Sequence, residues 1–150
     1  EERNVKQFRF SLEKVLEYKQ ESVDGLRVEY GVCMENVRRQ EAVVRERRLR
    51  RAQVNEACRE KEKSGMPITE ARMYAMQLEA LEREIAAEQS RLTQLRTLAE
   101  QKREEMVAMR QEASAIDKLR EKKLTQYRSE VQKSEEKAID DLVCARLCCR

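Results

Sequence analysis

One proline and three glycines are all the strong helix breakers that 150 residues contain. Pro67 and Gly65 fall together in the stretch KEKSGMPITE, Lys61 to Glu70, whereas Gly25 and Gly31 stand apart from it. A β protein, or a chain of several small domains, needs many more turn residues than this. The chain therefore reads as long helix interrupted by one turn. Its composition is 41% charged, 40% hydrophobic and 4% aromatic, with no Trp and no His, which suits long helices better than a globular core. Disorder is the competing reading for so polar a chain, and periodicity decides between them.

Stepping alternately by four and three residues from Leu12 lands on Leu16, Lys19, Val23, Leu26, Tyr30, Cys33, Val37, Gln40, Val44, Arg47, Arg51, Val54 and Cys58. All but Lys19, Gln40, Arg47 and Arg51 are apolar. Beyond the turn the same steps give Tyr74, Leu78, Leu81, Ile85, Glu88, Leu92, Leu95, Ala99, Lys102, Met106, Met109, Ala113 and Ile116, with only Glu88 and Lys102 polar. Two such stripes are heptad seams, and disorder does not produce them.

Facing residues of an antiparallel pair have numbers with a constant sum. Cys58 opposite Tyr74, Val37 opposite Leu95, Val23 opposite Met109 and Leu16 opposite Ile116 all add to 132. The midpoint is Met66, inside the turn, although the turn played no part in finding the seams. Each stripe also breaks rhythm once, at Phe8–Leu12–Leu16 and at Ile116–Arg120–Leu124, and extra steps of four are stutters. In this register Phe8 meets Leu124 and Val5 meets Tyr127. The seam cations Lys19, Arg47, Arg51 and Lys102 lay aliphatic stems over apolar neighbours, weakening packing but helping to fix register.

The expected fold is all-α: a long antiparallel two-helix coiled-coil hairpin with a C-terminal helical overhang. It is read as one domain over residues 1–150, with helix one at about 11–63, the turn at 64–67 and helix two at about 68–147. Gly65 suits the left-handed position after a helix end, and Pro67 suits a first helical turn. At the start, Ser11 as a cap with Phe10 stapled onto Val15 competes with a helix beginning near Val5. At 1.5 Å per residue the helices extend for about 78 Å and about 120 Å. Residues from about Arg128 onward thus lack an intramolecular partner, yet Val131, Ala138, Ile139, Leu142, Val143 and Leu147 form a stripe that calls for one. Met66, Ile68, Met73 and Met76 gather near the turn, and flexible methionines suit adaptable binding surfaces.

Several functions are disfavoured. With 32 basic and 29 acidic residues interspersed, the charges read as solvated helix faces. No run approaches the roughly 18 apolar residues of a membrane span, and no secretory leader is legible. Cys33, Cys58, Cys144, Cys148 and Cys149 are odd in number and show no disulfide framework, so the expectation is a reduced cytoplasmic location. Four ligands close a zinc site; without histidine, Cys144 and Cys148 read as small apolar residues, and neither metal nor cofactor is expected. There is no glycine-rich phosphate loop, and the pairs Glu135–Glu136 and Asp140–Asp141 point in different directions on a helix, so no enzyme is expected. The run Arg38 to Arg51 holds seven arginines and two glutamates, which could track phosphates. It lacks interleaved aromatics and any reader motif, so nucleic acid is not the expected partner.

Two segments carry a resemblance. FRFSLEKVLEYK, Phe8 to Lys19, and KLTQYRSEVQKSEEKAIDDL, Lys123 to Leu142, flanking a central turn, look like the FliJ family of flagellar type III export proteins. The Phe-x-Phe-x-Leu-x-x-Val-Leu start is shared. The close resembles the family's Glu-Gln…Asp-Glu ending, carried here by Glu136, Lys137, Asp140 and Asp141; Lys137 and Asp141 depart from the commoner Gln and Glu. The resemblance implies a cytoplasmic stalk similar to the γ subunit of rotary ATP synthases, held at the inner membrane through partners only. Those partners would be a FliI-type export ATPase hexamer, an FlhA-type export gate and export chaperones. It places ring binding at Phe8, Phe10, Arg128, Lys133, Glu136, Asp140, Asp141 and Leu142, and gate binding at the tip, Met66, Ile68, Met73, Tyr74 and Met76. The alternatives are a tethering coiled coil that dimerises through its overhang, and a basic coiled coil that binds nucleic acid.

Overall fold

The computed structural model describes residues 7–148, so Val5 and Cys149 lie outside it. Helix α1 runs Glu13–Ser64 and helix α2 runs Ile68–Cys148. The two pack against each other as an antiparallel coiled-coil hairpin, and no strand occurs among the described residues.

The turn follows from its residues. Gly65 has φ +90°, the left-handed backbone that side chains with a Cβ resist, and its amide reaches the Glu62 carbonyl at 3.3 Å. The Ser64 hydroxyl donates to the Lys61 carbonyl at 3.2 Å, adding a partner at the C-terminal end of α1. Across the turn, the amides of Glu70 and Ala71 both donate to the Pro67 carbonyl at 3.1 Å. Pro67 thus occupies the capping position itself, one residue before the first-turn site expected of it. Its missing N–H costs nothing there.

The start of α1 differs from both expected forms: the helix begins at Glu13, so Leu12 rather than Ser11 holds the capping position. The chain from Gln7 to Phe10 is not helical, a turn from the Glu13 amide to the Phe10 carbonyl follows at 3.2 Å, and the first helical bond joins Leu16 to Leu12 at 2.9 Å. The four-residue step Phe8–Leu12–Leu16 is therefore no stutter within α1, because Phe8 is not on the helix. Instead its ring lies 5.5 Å from that of Tyr127. Among the described residues the extra four-residue step lies within a helix only in α2, at Ile116–Arg120–Leu124, where the helix runs on unbroken. Arg120 is exposed and its Nε donates to Glu13 at 2.8 Å.

The seam follows the heptad steps. The buried residues are Leu16, Val23, Val37, Gln40, Val44, Leu81, Leu92, Ala99 and Ala113, and every one is a step of the two series. No large side chain among the described residues is completely enclosed, because two helices cover a layer from only two sides. Leu16 is 2% exposed and Val37, Val44 and Leu81 4%, so each gives up nearly all its surface, worth roughly 1.5–3 kcal/mol, and stability accumulates over many such layers. Ion pairs crossing the seam follow the register: Lys19–Glu112, Arg47–Glu84, Lys61–Glu70 and Lys102–Glu29 add to 131, Arg51–Glu82 and Arg120–Glu13 add to 133, and the long arm of Arg96 reaches about one turn further to Glu41, adding to 137.

Packing divides the chain into two units. The tip unit, Gly25–Met106, centres on Val37, Val44, Leu92 and Ala99, with Tyr30, Cys33, Met34 and Leu95 against them. It contains a polar layer. Gln40 is 6% exposed, and its side-chain amide donates to the Glu88 carbonyl at 3.0 Å and to the Glu88 carboxylate. The terminal unit joins residues 7–24 to residues 107–148. Its core holds Leu16, Val23 and Ala113, with Met109 and Ile116 half-buried.

Candidate functional site

In the terminal unit, the non-helical segment lies along α2. Phe8, Arg9, Phe10, Ser11, Leu12, Leu119 and Lys123 line a shallow crevice of about 300 Å³. Phe8 and Phe10 are half-buried, so each ring is partly spent on the protein's own packing. Leu119, Lys123 and Arg9 were not expected in this site. Leu119 lies off the seam, and only the bend before Glu13 turns the crevice towards it.

Past Tyr127, α2 continues to Cys148 and its apolar side chains come out to solvent. Val131 and Ala138 remain half-buried, but Ile139 is 59% exposed, Leu142 61% and Leu147 69%. The expected ring-binding residues divide by helical angle at about 100° per residue. Arg128 and Leu142 lie with Val131 and Ala138 on the apolar stripe. Lys133, Glu136 and Asp140 share the opposite face with Leu147, and Asp141 falls between the two. All six are exposed, and Glu136 accepts a hydrogen bond from Gln132 at 2.9 Å. One flat partner surface cannot touch both faces of this helix at once; a socket that encloses it can.

The tip expectation divides similarly. Ile68 is 86% exposed, Met73 70% and Met76 66%. Met73 and Met76 share an outward face three residues apart. Tyr74 instead turns into the seam as a half-buried residue, where the Lys61 ammonium stands 5.7 Å from its ring centre. Met66 is half-buried within the turn. The hydrogen bond and charge of Glu70 hold Lys61 above the usual lysine range, and Tyr74 adds to the effect. Cys58 is on α1 with Lys61, and burial followed by the Glu62 carboxylate pushes its thiol up, which favours its neutral form.

These surfaces suit protein contact. Exposed aliphatic and methionine side chains on rigid helices give area and adaptability without requiring a reactive group. Among the described residues, no three His, Cys, Asp or Glu side chains converge as a metal site would need.

The family model described as Flagellar FliJ protein matches residues 8–147. The chain belongs to the FliJ family. The match begins at the crevice residue Phe8 and ends at the exposed Leu147, so it takes in both seams, the tip and the exposed end of α2. No curated protein and no solved structure matches this FliJ-family chain. Membership gives it a role related to flagellar protein export, in a family that is a non-enzymatic component of that system. No helix of its described residues is long and apolar enough to cross a membrane.

Proposed function

We propose that this FliJ-family chain is a stalk and escort protein of the flagellar type III export apparatus. Its terminal unit docks into a FliI-type export ATPase hexamer, its tip turns towards an FlhA-type export gate, and it assists export chaperones. It works at the cytoplasmic face of the inner membrane and is held there through these partners alone. The observation that carries the reading is the end of α2, where Ile139, Leu142, Val143 and Leu147 are at least half exposed in a chain of this family. Leaving such a stripe in water costs roughly 25 cal/mol per Å2 of apolar surface, a term that a protein socket recovers.

Phe8 and Phe10 join the docking end by holding the crevice beside α2. Lys133, Glu136, Asp140 and Asp141 supply the polar wall of a helix held on two sides, and Arg128 and Leu142 the apolar one. Met73 and Met76, with Ile68, supply the gate-facing contact, while Met66 and Tyr74 hold the turn beneath them.

The test mixes the protein with a FliI-type ATPase and follows ring assembly and ATP turnover. Leu142→Ala with Leu147→Ala should reduce stimulation at least about tenfold, the scale of losing buried interface anchors. Met73→Ala with Met76→Ala should leave that stimulation intact and weaken gate binding. Unchanged ATPase stimulation by the first pair, or unchanged gate binding by the second, rejects the respective assignment. If light scattering instead gives a stable dimer that the Leu142 and Leu147 changes dissociate, the stripe serves self-association.

A further inference from the structure

The arginine run Arg38–Arg51 has no part in the ring and gate assignments, and within the tip unit its surroundings are unequal. On one flank of the seam, carboxylates across the helix pair answer the cations: Lys102 meets Glu29 at 2.9 Å, Arg47 meets Glu84 at 3.6 Å, and Lys61 meets Glu70. On the other flank, Arg51 pairs with Glu82, but Arg48 reaches only the neutral Gln89, at 3.2 Å. Arg96 there takes up Glu41 at 2.7 Å. Arg38 has Glu35 at 3.7 Å, a loose pair with the arginine 70% exposed. Arg45 and Arg59 have no ion pair among the described residues, and both are exposed.

The spacing on this flank is regular. Arg38, Arg45, Ala52 and Arg59 follow one another at seven-residue steps, with Arg48 one turn from Arg45. Ala42 and Leu49 lie four residues beyond Arg38 and Arg45, and Leu49 is 61% exposed. The result is a row of guanidinium groups, interrupted at Ala52, beside a narrow strip of Ala42 and Leu49, extending for about 30 Å at 1.5 Å per residue.

Every basic residue of the row is arginine, whose planar fork engages a carboxylate through two hydrogen bonds. A seven-residue repeat is the repeat by which one helix lies along another. A nucleic-acid strand or a lipid surface has no use for that interval, and no aromatic side chain interrupts the row to stack on bases. A small apolar strip between charged rows is likewise the surface that the seam of an added helix covers.

Going beyond the stalk reading, we infer that this flank docks an acidic amphipathic helix of a partner protein. Its Glu or Asp side chains engage Arg38, Arg45, Arg48 and Arg59, and its aliphatic residues cover Leu49. The added helix would run beside α1 and leave the two-helix seam undisturbed.

The test uses the full chain and fluorescence anisotropy. The probe is a labelled acidic amphipathic peptide of about three heptads. Its comparators are a scrambled peptide of equal composition, a single-stranded oligonucleotide of equal charge, and phosphatidylserine vesicles. The patterned peptide should bind at least about tenfold more tightly than any of the three. Arg38→Gln, Arg45→Gln, Arg48→Gln and Arg59→Gln together should weaken it at least about tenfold, whereas Arg39→Gln with Arg50→Gln, on other faces of α1, should change it less than about twofold. Circular dichroism checks the fold of each variant; if the quadruple change lowers helicity, Arg45→Gln with Arg59→Gln, which breaks no ion pair, takes its place. The inference is overturned by no binding, by equal affinity for the scrambled peptide, by tighter binding to the oligonucleotide or vesicles, or by equal losses in the two arginine sets. ATPase stimulation measured on the same variants should stay unchanged, so this result stands or falls apart from the ring assignment.

Discussion

Replacing Gln40 tests what the buried polar layer does. Its amide, in a residue 6% exposed, gives one hydrogen bond to the Glu88 carbonyl and one to the Glu88 carboxylate. Their net worth is about 1 kcal/mol for the first and about 1.5 kcal/mol for the second, since Glu88 is only half-buried. Leucine at this position would lose about 2.5 kcal/mol of hydrogen bonding but gain about 2 kcal/mol by burying an aliphatic side chain opposite Leu92. Gln40→Leu should therefore lie within about 1 kcal/mol of the parent. Gln40→Ala loses the same bonds without the compensating burial, and should fall by about 2–3 kcal/mol. Urea-dependent hydrogen exchange at the amides of Val44 and Leu92 reads the local value directly. The leucine variant should also lose specificity. With an apolar layer in place of the Gln40–Glu88 bond, shifted pairings or self-association should become visible by sedimentation equilibrium, as when a coiled coil loses its buried polar residue. If Gln40→Leu is as destabilised as Gln40→Ala, the layer is a net source of stability and the reasoning fails. If Gln40→Leu keeps both its stability and a single monomeric species, the layer does not fix the pairing.

Gly65→Ala forces a Cβ into a backbone at φ +90° and should cost about 1 kcal/mol by urea melting; space is not the issue, since nothing lies within 4 Å of the added atom. The hydrogen bond to Glu29, with Glu105 adding to its charge, raises Lys102 above its ordinary value of 10.5. A lysine raised on folding contributes stability that is complete below its unfolded pKa and is lost as pH rises through its folded one. The urea midpoint of the parent should therefore fall above about pH 10.5, and Lys102→Met should show a smaller fall over that range.

The seams were legible because a heptad interval is a statement about faces, and the faces are what two helices bury. All the buried residues lie at steps counted from the sequence, and Gly65 with Pro67 marked where the chain reverses. The start of α1 was less legible. The spacing of Phe8, Leu12 and Leu16 and the capping capacity of Ser11 favoured different helix starts, and the bend that brings Phe8 to Tyr127 is a tertiary contact. Gln40 was identifiable as a seam position but its partner was not: it faces Leu92 yet bonds to Glu88, one turn away, a reach that only side-chain geometry reveals. Tyr74 grouped with Met73 and Met76 by proximity in sequence, whereas helical angle separates it from them. The bent segment likewise brings Leu119 and Lys123 into the crevice. What covers Leu142 and Leu147 is a property of another molecule, so their own chain specifies the need for a cover and not its identity.

The buried residues described here are strung along two seams rather than gathered around one centre, and that has a mechanical consequence. A globular core concentrates its cohesion, and one excised methyl cluster can bring it down. Here the cohesion is graded along a zipper of thin rungs. Loss of one rung should stay local, while losses at consecutive rungs should compound until that stretch frays.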